Sequence, residues 1–245
     1  MDAGDADEQT PPTLPDRAAI RSLTGSPTEA GTVVWHREDL RIADNPALAA
    51  AAPNGQDDTD AEGERRILPL FVFDPAFYGE RGTACDARIE FLHDCLRDLD
   101  RQYRDVGAPG LTYAHGDPIE VLGRFADAGW DVVASRSVTG RYGLRRDERA
   151  GEAVGVDFVS GDGLVRDADR PRRGWKEAIE FWLAADPHGW DPRRVAVERI
   201  AAEAARGSPP GGDSLVPTPE SVAAAYDVAP EKSRVPAGGR ATGRE

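Results

Sequence analysis

The run Ile67-Leu-Pro-Leu-Phe-Val-Phe73 constrains the chain most. Seven residues without a charge and without polar alternation describe a strand covered on both faces, the pattern of a strand inside a parallel sheet. Parallel neighbours are joined by crossovers, so the flanking sequence has to supply helices. The run ends in Asp74-Pro75, a polar residue at a strand's carboxyl end. A second stretch of the same kind lies earlier. Thr32-Val-Val-Trp-His36 is β-branched and aromatic and follows a Gly/Pro/Ser-rich leader, which predicts another short buried strand. Arg37, Glu38, Asp39 and Arg41 then follow at its carboxyl end. Asp44 and Asn45 are good N-caps, and Pro46 stands at the first helical position, where its missing N–H costs nothing. Pro46 also keeps Asn45 out of the helical region, so the cap is specified twice. In an open α/β sheet, such a strand-loop-helix junction is where ligands bind.

The rest of the chain repeats the alternation. Thr83 is a plausible N-cap for a helix to about Tyr103, whose residues Cys85, Ile89, Leu92, Leu96, Leu99 and Tyr103 form one apolar stripe. Gly107 to Gly110 break it. Leu111 to His115 is a third strand, and Gly116-Asp117-Pro118 launches a helix with Ile119, Leu122 and Phe125 on one side. Trp130 to Ala134 is the fourth strand, followed by a loop from Arg136 to Arg141 and a helix ending near Gly151. Val156 to Val159 is the fifth. The expected fold is α/β, a doubly wound five-stranded parallel sheet in the order three-two-one-four-five with flexible termini. That order places the first strand at the topological switch point, with the loops after the first, second and fourth strands lining a crevice. Residues 1–30 read as a disordered leader, 31–165 as the α/β domain, 166–206 as a helical extension and 207–245 as a linker-like tail, disordered alone. Within the extension, Pro171 to Leu183 predicts a helix with Trp175, Ile179 and Trp182 packing at helical spacing, and Val195 to Arg206 a further short helix capped by Gly207.

Charge excludes one class of partner. The formal net charge is −14, and only Lys176 and Lys232 among the 30 basic residues are lysine. Such a surface repels phosphate backbones, so tight DNA binding by this chain is not expected. An acidic, lysine-poor surface suits concentrated salt, which points to a halophilic host. Cys85 and Cys95 fall on one predicted helix, roughly 15 Å apart by helical rise, too far for a disulfide. The four histidines are scattered and no metal set is visible. No basic-then-apolar leader or membrane-length apolar run occurs, so a cytoplasmic protein without a membrane segment is expected.

No catalytic constellation stands out: the chain holds no nucleophile elbow, Walker loop or dinucleotide-binding glycine fingerprint. Gly161-Asp-Gly163 reads as a turn. A ligand pocket is the more legible feature. Trp35, His36, Arg37, Phe71, Phe73, Asp74 and Arg136 are expected to converge on the crevice, aromatic walls with a cation and a carboxylate, as suits a flat polar heterocycle. The same charges can instead bridge loops, Arg37 to Asp74 or Arg41 to Asp39, and both arrangements can hold at once.

Trp35, Arg37, Asp39, Leu40, Arg41, Asp44, Asn45, Pro46, Ala47 and Leu48 together resemble the opening signature of the photolyase/cryptochrome family. Phe71-Val-Phe-Asp-Pro75 is similar to the family's second strand, and Gly116-Asp-Pro118 is typical of it. The resemblance covers residues 31 to about 165. It implies the domain that binds an antenna chromophore, an 8-hydroxy-deazaflavin or a methenyltetrahydrofolate, and passes excitation energy to FAD in a separate helical domain. By the same resemblance Arg37, Phe71 and Asp74 fall where antenna contacts occur. Many relatives carry an Asn and a Glu-Pro-Tyr segment after the fourth strand, whereas this chain has Arg136-Ser-Val-Thr-Gly-Arg-Tyr142, without the acidic contact.

Asp186 to Glu245 resembles the linker into the FAD domain, and no region reads as an FAD cradle. FAD is therefore not expected on this chain, and neither is repair of DNA by this chain alone. A second polypeptide carrying the flavin domain is the expected partner; a truncated relic or a domain kept for another task are the alternatives. The functional expectation is an antenna-domain protein linked to light-dependent DNA repair of the deoxyribodipyrimidine photolyase type, or to light sensing. A stand-alone nucleotide-binding α/β module and a ligand-free interaction protein are the rival readings.

Overall fold

The computed structural model describes residues 31–52, 65–79, 82–137, 140–160, 174–200, 217–230 and 236–240. The leader, the loop at 53–64, the Gly161–Gly163 turn and the side chain of Trp175 lie outside the described residues. In chain order the elements are β1 (Thr32–His36), α1 (Pro46–Ala51), β2 (Arg65–Phe73), α2 (Asp86–Asp105), β3 (Thr112–His115), α3 (Pro118–Asp127), β4 (Asp131–Ser135), α4 (Arg141–Val154), β5 (Asp157–Val159), α5 (Trp175–Ala184), β6 (Val195–Val197) and α6 (Pro219–Ala225).

The strands pair in parallel in the order β3-β2-β1-β4-β5, as the alternation of strands and helices predicts. Period-two alternation splits each inner strand between two cores. Val33 and Trp35 of β1 with Leu68, Leu70 and Val72 of β2 face Val121, Leu122, Phe125 and Ala150 of α3 and α4. Val34 with Ile67, Phe71 and Phe73 faces Leu48 of α1 and Ile89, Leu96, Leu99 and Tyr103 of α2. Helices therefore cover both faces. The caps follow the sequence: Asn45 accepts from Leu48 N and Asp117 from Ile119 N, each followed by proline. Gly155, in the left-handed region at φ +77°, ends α4 three residues beyond Gly151.

Four expectations need correction. Thr83 does not cap α2; its hydroxyl donates to Ala76 O, and the helix begins at Asp86 with Cys85 before it. Val195–Val197 is a strand, not the start of a helix, because β2 offers it a parallel edge at Arg65–Ile67. Pro217 to Val228 is not loose linker. Thr218 and Ser221 close a capping box at the start of α6, Val222 is fully buried, and Tyr226 stacks on Tyr78 at 4.9 Å. On α5, Trp182 is 41% exposed rather than packed, while Ile179 is half-buried.

β6 and β3 share one edge of β2. β6 pairs with Arg65–Ile67 and β3 with Leu70–Phe73, and Pro69 falls between the two. Arg199 and Ile200 continue from β6 to bond Leu111 O and Thr112 Oγ1.

Candidate functional site

The crevice forms where β1 and β2 end and α4 begins, a cavity of about 1490 Å³. His36, the last residue of β1, lines it, but its ring is a strut. Nδ1 lies 3.2 Å from Asp39 O, which can only accept, so Nδ1 carries the proton and Nε2 accepts from Tyr103 Oη at 2.7 Å. The residue is 2% exposed, and burial lowers its pKa to about 4.

That depression sets a pH dependence. Between pH 6.5 and about 4 the unfolded chain protonates His36 while the folded chain does not, so the stability present above pH 6.5 is lost as the pH falls. The loss for this ring approaches about 3 kcal/mol near pH 4 and then levels off. His93, whose pKa burial likewise lowers to about 4, acts in the same direction; burial raises Asp39 and Asp74, which oppose it. Urea unfolding at pH 7 and pH 4.5 isolates the His36 share by comparison with His36→Gln. The variant should lose less stability on acidification than the native chain, and an unchanged pH difference would remove His36 from the account.

Arg37 is spent on bracing. Its guanidinium donates to Asp147 Oδ1 and to Ser135 O, and it lies over the Trp35 ring at 4.6 Å. The Arg37 and Asp147 side chains are 6% and 5% exposed, so a buried ion pair ties the β1 loop to β4 and α4. The expected bridging therefore occurs through Asp147 rather than Asp74, while Arg41 does pair with Asp39. Asp74 accepts from Ala76 N at 2.9 Å and from the Tyr142 hydroxyl, and burial raises its pKa. Phe71 forms part of the wall, its ring edge-on to Phe73 at 5.2 Å.

Arg136 does not line this cavity beside Phe71 and Asp74; it joins Trp35, His36 and Arg37 along a smaller one of about 420 Å³. Its backbone N–H bonds Val159 O, and its guanidinium sits over Phe158 at 5.5 Å, facing β5. In the larger cavity Tyr142 and Arg146, four residues apart on one face of α4, stand beside Phe71 and Asp74. Gly143 allows this approach, since a Cβ there would collide with Ser137 Oγ. Helical spacing from Gly140 could have found Tyr142 and Arg146; their proximity to β2 could not be read from it. The wall opposite comes from α2, including Ala87, and from Pro236, Gly239 and Arg240. Gly239 N–H meets Cys95 Sγ at 3.1 Å, so this cysteine, free like Cys85, anchors the segment.

A doubly wound parallel sheet with a large, partly aromatic crevice beyond the carboxyl ends of its strands, at the switch point, places the chain in the class of open α/β proteins. Comparison with known proteins narrows the class. Residues 32–165 match the family model described as DNA photolyase; the chain belongs to the DNA photolyase family. It is 36% identical over 125 residues to a deoxyribodipyrimidine photo-lyase of Halobacterium salinarum, a match covering 50% of this chain and 24% of that one. A (6-4)DNA photolyase of Oryza sativa is 32% identical over 149 residues, 56% of this chain and 25% of its own. Cryptochrome-1 of Anopheles gambiae is 37% identical over 92 residues, 38% of this chain and 16% of its own. The chain thus matches about a quarter or less of the length of these relatives. Among solved structures, an archaeal photolyase from Sulfolobus tokodaii, described with two FAD molecules and an implied novel light-harvesting cofactor, superimposes with a TM-score of 0.58 at 20% identity. That match covers 87% of this chain and 45% of the neighbour, and it shows the same fold. Among the described residues no helix is long and apolar enough to cross a membrane, and no group of His, Cys, Asp and Glu could hold a metal ion.

Proposed function

We propose that the crevice holds an antenna chromophore, an 8-hydroxy-deazaflavin or a methenyltetrahydrofolate, and that the chain serves the flavin photochemistry of a separate FAD-binding partner in light-dependent DNA repair or light sensing. The observation that carries this reading is the crevice itself. Its size suits a polycyclic ligand, its walls are aromatic at Phe71, Phe77 and Tyr142, and it opens at the switch point of the sheet. The light-harvesting cofactor named for the Sulfolobus tokodaii neighbour supports the same reading. The likeness to a Halobacterium relative, together with the acidic composition, supports a salt-adapted host and a cytoplasmic setting.

The spectrum of protein purified from its own host tests it. A near-ultraviolet or blue absorption band should accompany the chain. Ala87→Phe, which adds a ring on the half-buried cavity side of α2, should reduce that band at least severalfold while leaving far-ultraviolet circular dichroism unchanged. A colourless, folded native protein would sink the proposal.

A further inference from the structure

Charge in this protein is distributed against its average. The chain carries 44 acidic and 30 basic residues, yet five arginines line the crevice against two acids, Glu38 and Asp74, among the described residues. Two of these arginines are already committed, Arg37 to Asp147 and Arg41 to Asp39. Arg146 is not. Its side chain is 11% exposed, with Nε 3.8 Å from Asp147 Oδ1 and Nη2 4.0 Å from Glu38 Oε1, separations at which charges attract but no hydrogen bond forms. Both nitrogens are buried and lack a hydrogen-bond partner among the described residues. Both carboxylates bond elsewhere. Asp147 is held by Arg37 and by Ser137 N–H, and Glu38 by the Ser137 hydroxyl at 2.9 Å. The rings of Trp35 and Tyr142, 5.3 and 5.5 Å from the Arg146 guanidinium carbon, flank the cation without accepting its protons.

A buried guanidinium with unmet N–H groups is an incomplete arrangement, and an oxyanion completes it with charge-assisted bonds. We infer that the ligand of the crevice is an anion, a planar ring system bearing a phosphate or carboxylate group whose oxygens are received by Arg146. This rests on the crevice being a ligand site. Glu38, with a side chain 57% exposed, is the group that yields as the oxyanion reaches Nη2. The exposed Arg88 and half-exposed Arg240 add to the positive field along the wall.

Riboflavin and flavin mononucleotide share one ring and differ by a phosphate, so they separate the anion from the ring. In fluorescence titrations of the full chain, at the lowest salt that keeps it folded, flavin mononucleotide should bind at least tenfold more tightly than riboflavin. Arg146→Met should bring that ratio close to one, and Arg146→Lys should retain most of it. Where Arg146→Met fails to fold by circular dichroism, the native ratio and the lysine variant decide. Equal binding of the two flavins would overturn the anion and leave the crevice reading standing. A phosphate preference that survives Arg146→Met, or no binding of flavin mononucleotide, would also overturn the inference. The spectrum of the host-purified protein judges the crevice reading separately.

Discussion

Asp147→Ala should destabilise the protein by about 3–5 kcal/mol, the cost of leaving one member of a buried ion pair without its partner. Arg37 keeps its bond to Ser135 O but loses the only carboxylate bonded to it among the described residues, with its side chain 6% exposed. Ser137 N–H, which donates to the other Asp147 oxygen at 2.7 Å, loses its acceptor at the same stroke. For a chain of this size the fall in melting temperature should be about 10 °C. Thermal and urea unfolding measure it, and the loss should hold at high salt, because a buried pair is poorly screened. A loss under about 1 kcal/mol, or one that salt abolishes, would mean that Arg37 reaches water when its partner is removed. The exposed Arg97–Glu220 pair is the natural comparison; its removal should cost at most about 1 kcal/mol.

The second large effect is expected at Phe73, the final residue of β2. Its ring is fully buried, stacks on Tyr113 at 5.6 Å and meets Phe71 and His93 edge-on at 5.2 and 5.5 Å. Phe73→Ala should cost about 3–5 kcal/mol through lost burial and the cavity left among rigid rings, whereas Phe73→Leu should cost less than about 1.5 kcal/mol. Because Phe71 leans on this ring, the alanine variant should also weaken retention of the proposed chromophore. Equal stability of the two variants by urea unfolding would show that the aromatic cluster repacks freely.

These two sites mark the limit of what the sequence discloses. The junction from Thr32 to Leu48 was legible because its determinants are local: β-branched residues, a capping Asn45 and a proline one position on. The strand order followed from the alternation of elements and the handedness of crossovers. Thr83 misled because a hydroxyl can satisfy a carbonyl in a turn as readily as it caps a helix. The residues from Val195 misled because a three-residue strand exists only through its neighbour. Arg37 lines the crevice, but its partner lies 110 positions away, and no spacing rule connects them. Arg146 and Tyr142 are not legible as crevice residues for the same reason, since α4 shows its amphipathic face without showing which strand ends it overhangs.

Pro69 has a consequence beyond its own strand. Ile67 O accepts from Glu198 N–H and Phe73 O from Gly116 N–H, so odd-numbered residues of β2 turn their polar groups toward the edge occupied by β6 and β3. Pro69 shares that parity, and its ring stands where an amide proton would otherwise invite either neighbour to continue. One imino acid thus acts as a stop for two segments separated by some eighty positions. It holds each to its own half of the edge and prevents a sliding register that would carry every side chain to the wrong face. The level at which the third strand delivers His115 and the Gly116-Asp117-Pro118 turn to the rim of the crevice is set, in this sense, by a residue that offers neither strand an amide proton.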